Sequence, residues 1–321
     1  MSADKAGEII KRAMADRSVY EAMAARENEV WGKLLPDRDE SPLVVEDTKA
    51  AATLGIFRNC SSLPRVANEK GLTFDNGLTL GCGTGRCERD LISRGVGLSF
   101  HGIEISERAI AKAREIAKEQ KLPLTYEVAD VNFVRLPEGT FDLVVAQTCL
   151  HHILFLEHVA EQIWHSLKSD GYLWIHDFIG ETQFQHDPKR VSVANDILRV
   201  LPEKLKKNRI TGQLLGEIKR PEPGRLCSPF ESIRSSEIVP VFHRWFTIEW
   251  KLEFDAFLRL VVPPGTRAAY LENEDTQTLF EILMLLDRLC IEEEIVQPTS
   301  GQYLMRPRPL DEIPCEERCN E

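Results

Sequence analysis

LTLGCGTGRCERDL, residues 78–91, is the stretch that decides the fold. An apolar run, Leu78 to Leu80, feeds into Gly81-Cys82-Gly83-Thr84-Gly85, and a helix-like segment follows and closes at Gly95. Glycines between a strand and a helix let the backbone turn sharply and approach a ligand with no Cβ in the way. The next apolar segment, LSFHGIEI (98–105), reads as a strand that carries Glu104 to its end, 19 positions beyond Gly85. A carboxylate there can accept hydrogen bonds from both hydroxyls of a ribose.

The glycine spacing narrows the ligand. A dinucleotide fingerprint requires G-x-G-x-x-G, whereas this loop is G-x-G-x-G, with Arg86 and Glu88 where a third glycine would have to fall. A P-loop requires Gly-Lys-Ser/Thr, which does not follow. A ligand with a ribose and no phosphate fits better, and that points to S-adenosylmethionine.

Outward from this core, strands alternate with amphipathic helices. SERAIAKAREIAKEQK (106–121) is a helix capped by Ser106, with Ile110, Ala113, Ile116 and Ala117 on one face. LTYEVADV (124–131), FDLVVAQ (141–147) and GYLWIHDF (171–178) are strands. Between the last two lies a helix bearing Leu156, Val159, Ile163 and Leu167, ending at Asp170-Gly171. This alternation implies right-handed crossovers and a mostly parallel sheet. Near the carboxyl end, WFTIEWKLEF (245–254) and QYLMRP (302–307) read as strands around a helix at 275–291, an arrangement that closes the sheet with an antiparallel edge. Trp245, Trp250 and Phe254 are assigned to the core, and Leu279, Ile282, Leu283 and Leu286 to a buried helix face.

Five regions are expected: a helical cap (1–75), the cofactor-binding core (76–180), an insertion (181–237), a completion of the sheet (238–310) and a flexible tail (311–321). The insertion carries 11 Lys and Arg against 8 Asp and Glu, so it is +3 while the rest of the chain sums to −14. With the N-terminal helices it should form a lid over the carboxyl ends of the strands, where open α/β sheets bind ligands.

Composition sets outer bounds. The 321 residues are 43% hydrophobic and 28% charged, too apolar for a disordered chain. A net charge of −11 disfavours a general polyanion binder, so nucleic acid is not an expected partner. No apolar run approaches the ~20 residues that span a bilayer, and residues 1–27 read as a helix and not as a secretion signal. Cytoplasmic location and no membrane association are expected. Cys60, Cys82, Cys87, Cys149, Cys227, Cys290, Cys315 and Cys319 are scattered with no CxxC pair, so reduced thiols are expected and no metal site is.

Taken together, LTLGCGTGRCERDL (78–91), HGIEIS (101–106), VADV (128–131), FDLVVAQTCLHHI (141–153) and GYLWIHDFIGE (171–181) resemble the class I S-adenosylmethionine-dependent methyltransferases over roughly half the chain. The resemblance implies a Rossmann-like α/β fold with a mostly parallel seven-stranded sheet, an antiparallel edge strand and a helical lid. It further implies that Gly81, Cys82, Gly83 and Gly85 lie against the methionine part of the cofactor. Glu104 and Ile105 would hold the ribose end, Asp130 and Val131 would flank the adenine, and Gln147 would lie near the amino-acid end. One departure stands out: two residues before the first glycine the family has Asp or Glu, and this chain has Thr79.

The acceptor is less constrained. Enzymes that methylate exocyclic amines of bases resemble one another in an Asn/Asp-Pro-Pro-aromatic motif after the fourth strand, and here that place reads Gln147-Thr148-Cys149-Leu150. LHHI and IHDFIG instead resemble the small-molecule branch, so O-methylation of a small molecule is expected, with N- or C-methylation open. A carrier-tethered or macromolecular substrate, a non-catalytic cofactor-binding protein and a nicotinamide oxidoreductase remain as alternatives. A hydroxyl acceptor must lose a proton, and neutral imidazole accepts one near neutral pH. His151 is the preferred base, with Asp177 orienting it and His152 in reserve, while His176 lies inside a strand.

Overall fold

The N-terminal region is helical, as its sequence predicts. The structure, a computed structural model, describes residues 2–38, 41–56 and 62–314. Its first helices are α1 (Ser2–Ala15), α2 (Arg17–Arg38), α3 (Pro42–Leu54) and α4 (Ser62–Lys70). Pro42 opens α3, where a missing N–H costs nothing, and left-handed Gly55 closes it. Cys60, Cys315 and Cys319 lie outside the described residues, as does the tail from 315 onward.

The alternating core follows: β1 (Phe74–Leu80), α5 (Arg86–Ser93), β2 (Gly97–Glu104), α6 (Glu107–Glu119), β3 (Leu124–Val128), β4 (Phe141–Gln147), α7 (Leu156–Ser166) and β5 (Leu167–Phe178). Beyond it come α8 (Pro188–Val200), α9 (Glu203–Lys206), α10 (Ile238–Trp245), β6 (Phe246–Phe254), α11 (Leu258–Val261), α12 (Glu274–Glu292) and β7 (Ser300–Pro307). The strands form one sheet in the order β3-β2-β1-β4-β5-β7-β6. All pairings from β3 to β5 are parallel, and β7 runs antiparallel to both β5 and β6. This is the Rossmann-like methyltransferase architecture that the motifs imply.

Period-two alternation explains why both sheet faces are covered. Val144, Ala146, Leu173 and Ile175 pack against α7 and α10 on one face. Leu143, Val145, Tyr172 and Trp174 pack with Leu63, Val66 and Leu91 on the other. Each such buried side chain contributes about 1.5–3 kcal/mol.

The structure departs from the sequence reading at several points. Trp245 ends α10 and is not part of a strand, although it is buried. β3 stops at Val128 because the Asp130 carboxylate caps a 3-10 turn, Val131–Phe133, by accepting from the Asn132 amide at 2.9 Å. β5 begins directly after α7, and Asp170-Gly171 falls inside it at a register shift opposite Phe141–Leu143. On α12 only Leu283 of the expected face is fully buried; Ile282 and Leu286 are exposed, because the helix covers its neighbours with one side only.

Residues 181–237 pack in two places. Ala194, Leu198, Leu205 and Ile218 share a cluster with Phe257, Tyr270, Phe280 and Ala51 of α3. Phe230 and Ile233 instead join Ala13 of α1 and Tyr20 of α2 over Leu154, just past the end of β4. Helix α2 itself runs along the carboxyl edge of the sheet. Tyr20 bonds Asp130 after β3, Glu27 meets His152 after β4, Gly32 lies against Ser106 after β2, and Leu35 lies against Gly83 after β1.

Candidate active site

The glycine loop needs its glycines. Gly81, Gly83 and Gly85 all have left-handed φ, +60°, +55° and +76°. A Cβ on Gly81 would lie 2.5 Å from the Cβ of Cys149, and one on Gly85 would lie 2.1 Å from the Tyr126 hydroxyl. The Cys82 side chain turns away into the cluster beneath α6, so only its backbone faces the loop's ligand side. Glu104, at the end of β2, accepts from the Gly83 amide at 3.1 Å and the Ser106 amide at 3.0 Å. Burial pushes its carboxyl above the ordinary value, against the pull of those amides. Each oxygen keeps a further lone pair, which is what two ribose hydroxyls require. A glycine cradle facing such a carboxylate fits S-adenosylmethionine.

The other residues expected to meet the cofactor lie near the carboxyl ends of β2, β3 and β4. Ile105 is half-buried after β2 and Val131 is buried in the core. The Asp130 side chain is engaged by Asn132 and by the Tyr20 hydroxyl at 2.6 Å, and it borders a cavity of about 570 Å³ shared with Ile103, Ala129 and Phe133. Gln147, at the end of β4, accepts from the Cys87 thiol at 3.5 Å.

Thr79 is buried, and a carboxylate does lie beside it, supplied by α5 and not by β1. Glu88 is fully buried, and burial pushes its carboxyl up to about 7, with Arg89 and the Thr79 hydroxyl pulling the other way.

After β4 the chain takes a left-handed turn at Thr148 (φ 51°) and delivers Cys149-Leu150-His151-His152 to the carboxyl edge. The structure brings His151 and Asp177 together: His151 Nδ1 forms a short hydrogen bond with Asp177 Oδ1. Asp177 is itself fixed by the amides of Cys149 (3.0 Å), Leu150 (2.7 Å) and Phe178 (2.8 Å). Burial works against its charge, yet His151 and the amides hold its carboxyl below the usual range. With Nδ1 donating to the Asp177 carboxylate, Nε2 is the ring nitrogen left to face the Glu231 side.

His152 does not share this partner. Its Nδ1 stands 2.9 Å from Glu27 Oε1, and its ring meets Trp31 edge-on at 5.1 Å. Burial opposes its charge, but Glu27, Glu231 and Asp177 outweigh it and hold the imidazole above its usual value. His176 faces the interior near Phe254, and burial pushes it down to about 4.

Sequence reasoning missed Glu27, Trp31, Glu88 and Glu231. Glu27 and Glu231 are buried carboxylates drawn from the N-terminal helical cap and from the insertion, where no local motif marks them. Glu27 and Trp31 do stand one helical turn apart, the spacing at which Trp31 Nε1 donates to Glu27 Oε1 at 2.7 Å.

A family model described as a methyltransferase domain matches residues 78–171, from β1 into β5. An uncharacterized methyltransferase of Schizosaccharomyces pombe is 32% identical over 110 residues, covering 34% of this chain and 74% of that protein. The 27-O-demethylrifamycin SV methyltransferase of Amycolatopsis mediterranei is 29% identical over 165 residues, 50% of this chain and 57% of that one. The mitochondrial arginine-hydroxylase NDUFAF5 of Rattus norvegicus is 35% identical over 112 residues, 35% of this chain, and the match spans 31% of its length. With the glycine cradle and Glu104 already in place, these likenesses settle the class. The chain belongs to the class I S-adenosylmethionine-dependent methyltransferases, and S-adenosylmethionine is its cofactor. Among the described residues, no helix is long and apolar enough to cross a membrane.

Proposed function

We propose that this methyltransferase acts on a hydroxyl of a small molecule, with His151 removing the proton and Asp177 orienting the imidazole. The observation that carries this reading is the buried Asp177–His151 pair at the carboxyl edge, which engages Nδ1 and leaves Nε2 as the ring nitrogen that can accept a proton. When bound, S-adenosylmethionine supplies a methyl group already activated on a sulfonium. The chain's own task is then to align the acceptor oxygen, take its proton at Nε2 and keep water out. Helix α2 and residues 227–235, packed over the ends of the strands, supply the exclusion.

The half-chain likeness to a methyltransferase named for an O-demethylated small molecule supports the acceptor class. The basic insertion is a weaker argument for a macromolecular substrate, because Arg190, Arg209 and Arg234 are each tied to carboxylates within the fold.

Incubation with S-adenosylmethionine and a panel of hydroxylated metabolites tests the reading, with S-adenosylhomocysteine release and product mass as readouts. Methyl transfer to a hydroxyl is expected. Transfer confined to a protein or carrier-bound acceptor would replace the small-molecule reading.

A further inference from the structure

We infer that His151 Nε2, His152 Nε2 and the Glu231 carboxylate form a binding site for a divalent transition-metal ion. The three donor atoms lie within 4.8 Å of one another. His151 Nε2 stands 3.7 Å from Glu231 Oε1, and His152 Nε2 stands 3.9 Å from Glu231 Oε2. Donors about 2.1 Å from a tetrahedral ion are roughly 3.4 Å apart, so small side-chain rotations close the set around a cation.

The surroundings match what metal-bound imidazoles require. Each histidine presents Nδ1 to its own carboxylate, Asp177 for His151 and Glu27 for His152, which turns both Nε2 atoms toward Glu231. Those carboxylates are anchored in turn: Glu27 accepts from Trp31 Nε1, Ser228 Oγ and the Phe230 amide, and Asp177 from three amides. Gln183 Nε2 donates to the Glu231 carbonyl at 2.8 Å and holds that segment down. The backbone is left-handed at Thr148, three residues before His151, and at Ser232, directly after Glu231.

Charge points the same way. Glu27, Asp177 and Glu231 are three buried carboxylates facing two imidazoles, so the cluster stays negative even with both rings protonated. Arg234 of the same segment is committed to Glu157 and Glu237. A divalent cation balances this charge without an added side chain. Two imidazoles and one carboxylate favour zinc, cobalt or iron(II) over magnesium or calcium, which prefer oxygen donors throughout. Three protein ligands leave coordination positions open for a water or an acceptor oxygen. The inference shares with the reading above only the hydroxyl acceptor: with Nε2 committed to an ion, His151 would be a ligand and not the base, and the ion would lower the pKa of a coordinated hydroxyl so that water could take its proton. The site itself stands on the donor geometry.

The test titrates Co²⁺ and Zn²⁺ into chelator-stripped full-length protein, following visible absorption and heat, with no acceptor present. One ion per chain is expected. His152→Ala and the near-isosteric Glu231→Gln should weaken binding at least ~100-fold, and Asp177→Asn and Glu27→Gln by ~10–100-fold. Circular dichroism and S-adenosylmethionine titration on each variant establish that it is folded. Wild-type protein that binds S-adenosylmethionine but neither metal would overturn the metal site and leave the methyltransferase reading intact. Metal binding unchanged in both His152→Ala and Glu231→Gln would overturn it equally, by placing the ion elsewhere.

Discussion

The Glu104 carboxylate accepts the Gly83 amide across 3.1 Å and so ties the end of β2 to the middle of the glycine loop. One residue therefore shapes the loop, and we propose that its remaining lone pairs receive the ribose hydroxyls of the cofactor. Glu104→Ala should weaken S-adenosylmethionine binding by ~1–3 kcal/mol. Gly83→Val should weaken it further, since φ is +55° there and Leu35 already lies 3.4 Å from the position of a Cβ. Titration calorimetry checks both; unchanged affinity in the two variants would place the cofactor elsewhere.

Glu88 makes stability depend on pH in a stated direction. Its carboxyl titrates near 7 in the folded chain against 4.5 ordinarily, because burial penalises the charged form. The native state thus holds a proton that the unfolded state has lost between those values, and stability falls as pH rises from about 4.5 to 7. Glu88→Gln removes this slope. Relative to wild type, the variant should gain up to about 3 kcal/mol between pH 5 and pH 8 in denaturant unfolding. An equal difference at both pH values would count against a raised Glu88.

Arg234 fastens the turn that carries Glu231. It bonds both oxygens of Glu157, both of Glu237 and the Leu154 carbonyl. Arg234→Ala should cost about 2–3 kcal/mol of stability, the scale of charge-assisted hydrogen bonds around a buried guanidinium. A melt indistinguishable from wild type would mean that the turn is held by its apolar contacts, Phe230 and Ile233, alone.

The core and its cofactor edge were legible because their signals are local. Alternating Leu143 to Ala146, the glycines after Leu80 and the cap at Ser106 each follow from a few neighbouring residues. The acid after β2 is readable for the same reason, since the strand's own length delivers Glu104 to the sheet edge. The chemistry around His151 depends on distant segments. Glu27 enters from α2 and Glu231 from a turn, and each would be an ordinary surface acid without the other. The exposure of Ile282 and Leu286 was illegible in the same way, because helical periodicity marks an apolar face but not whether a neighbour covers it.

Turnover of His151→Ala, measured beside its affinity for S-adenosylmethionine, tests the proposed chemistry most directly. His151 contacts Asp177 and faces Glu231, while the residues proposed to hold the cofactor, Gly83 and Glu104, pair with each other elsewhere. The variant should therefore lose ~10²–10⁴ in rate with cofactor binding nearly intact. Normal turnover in the variant would contradict a role for His151 in activating the acceptor, and methyl transfer would then rest on alignment alone.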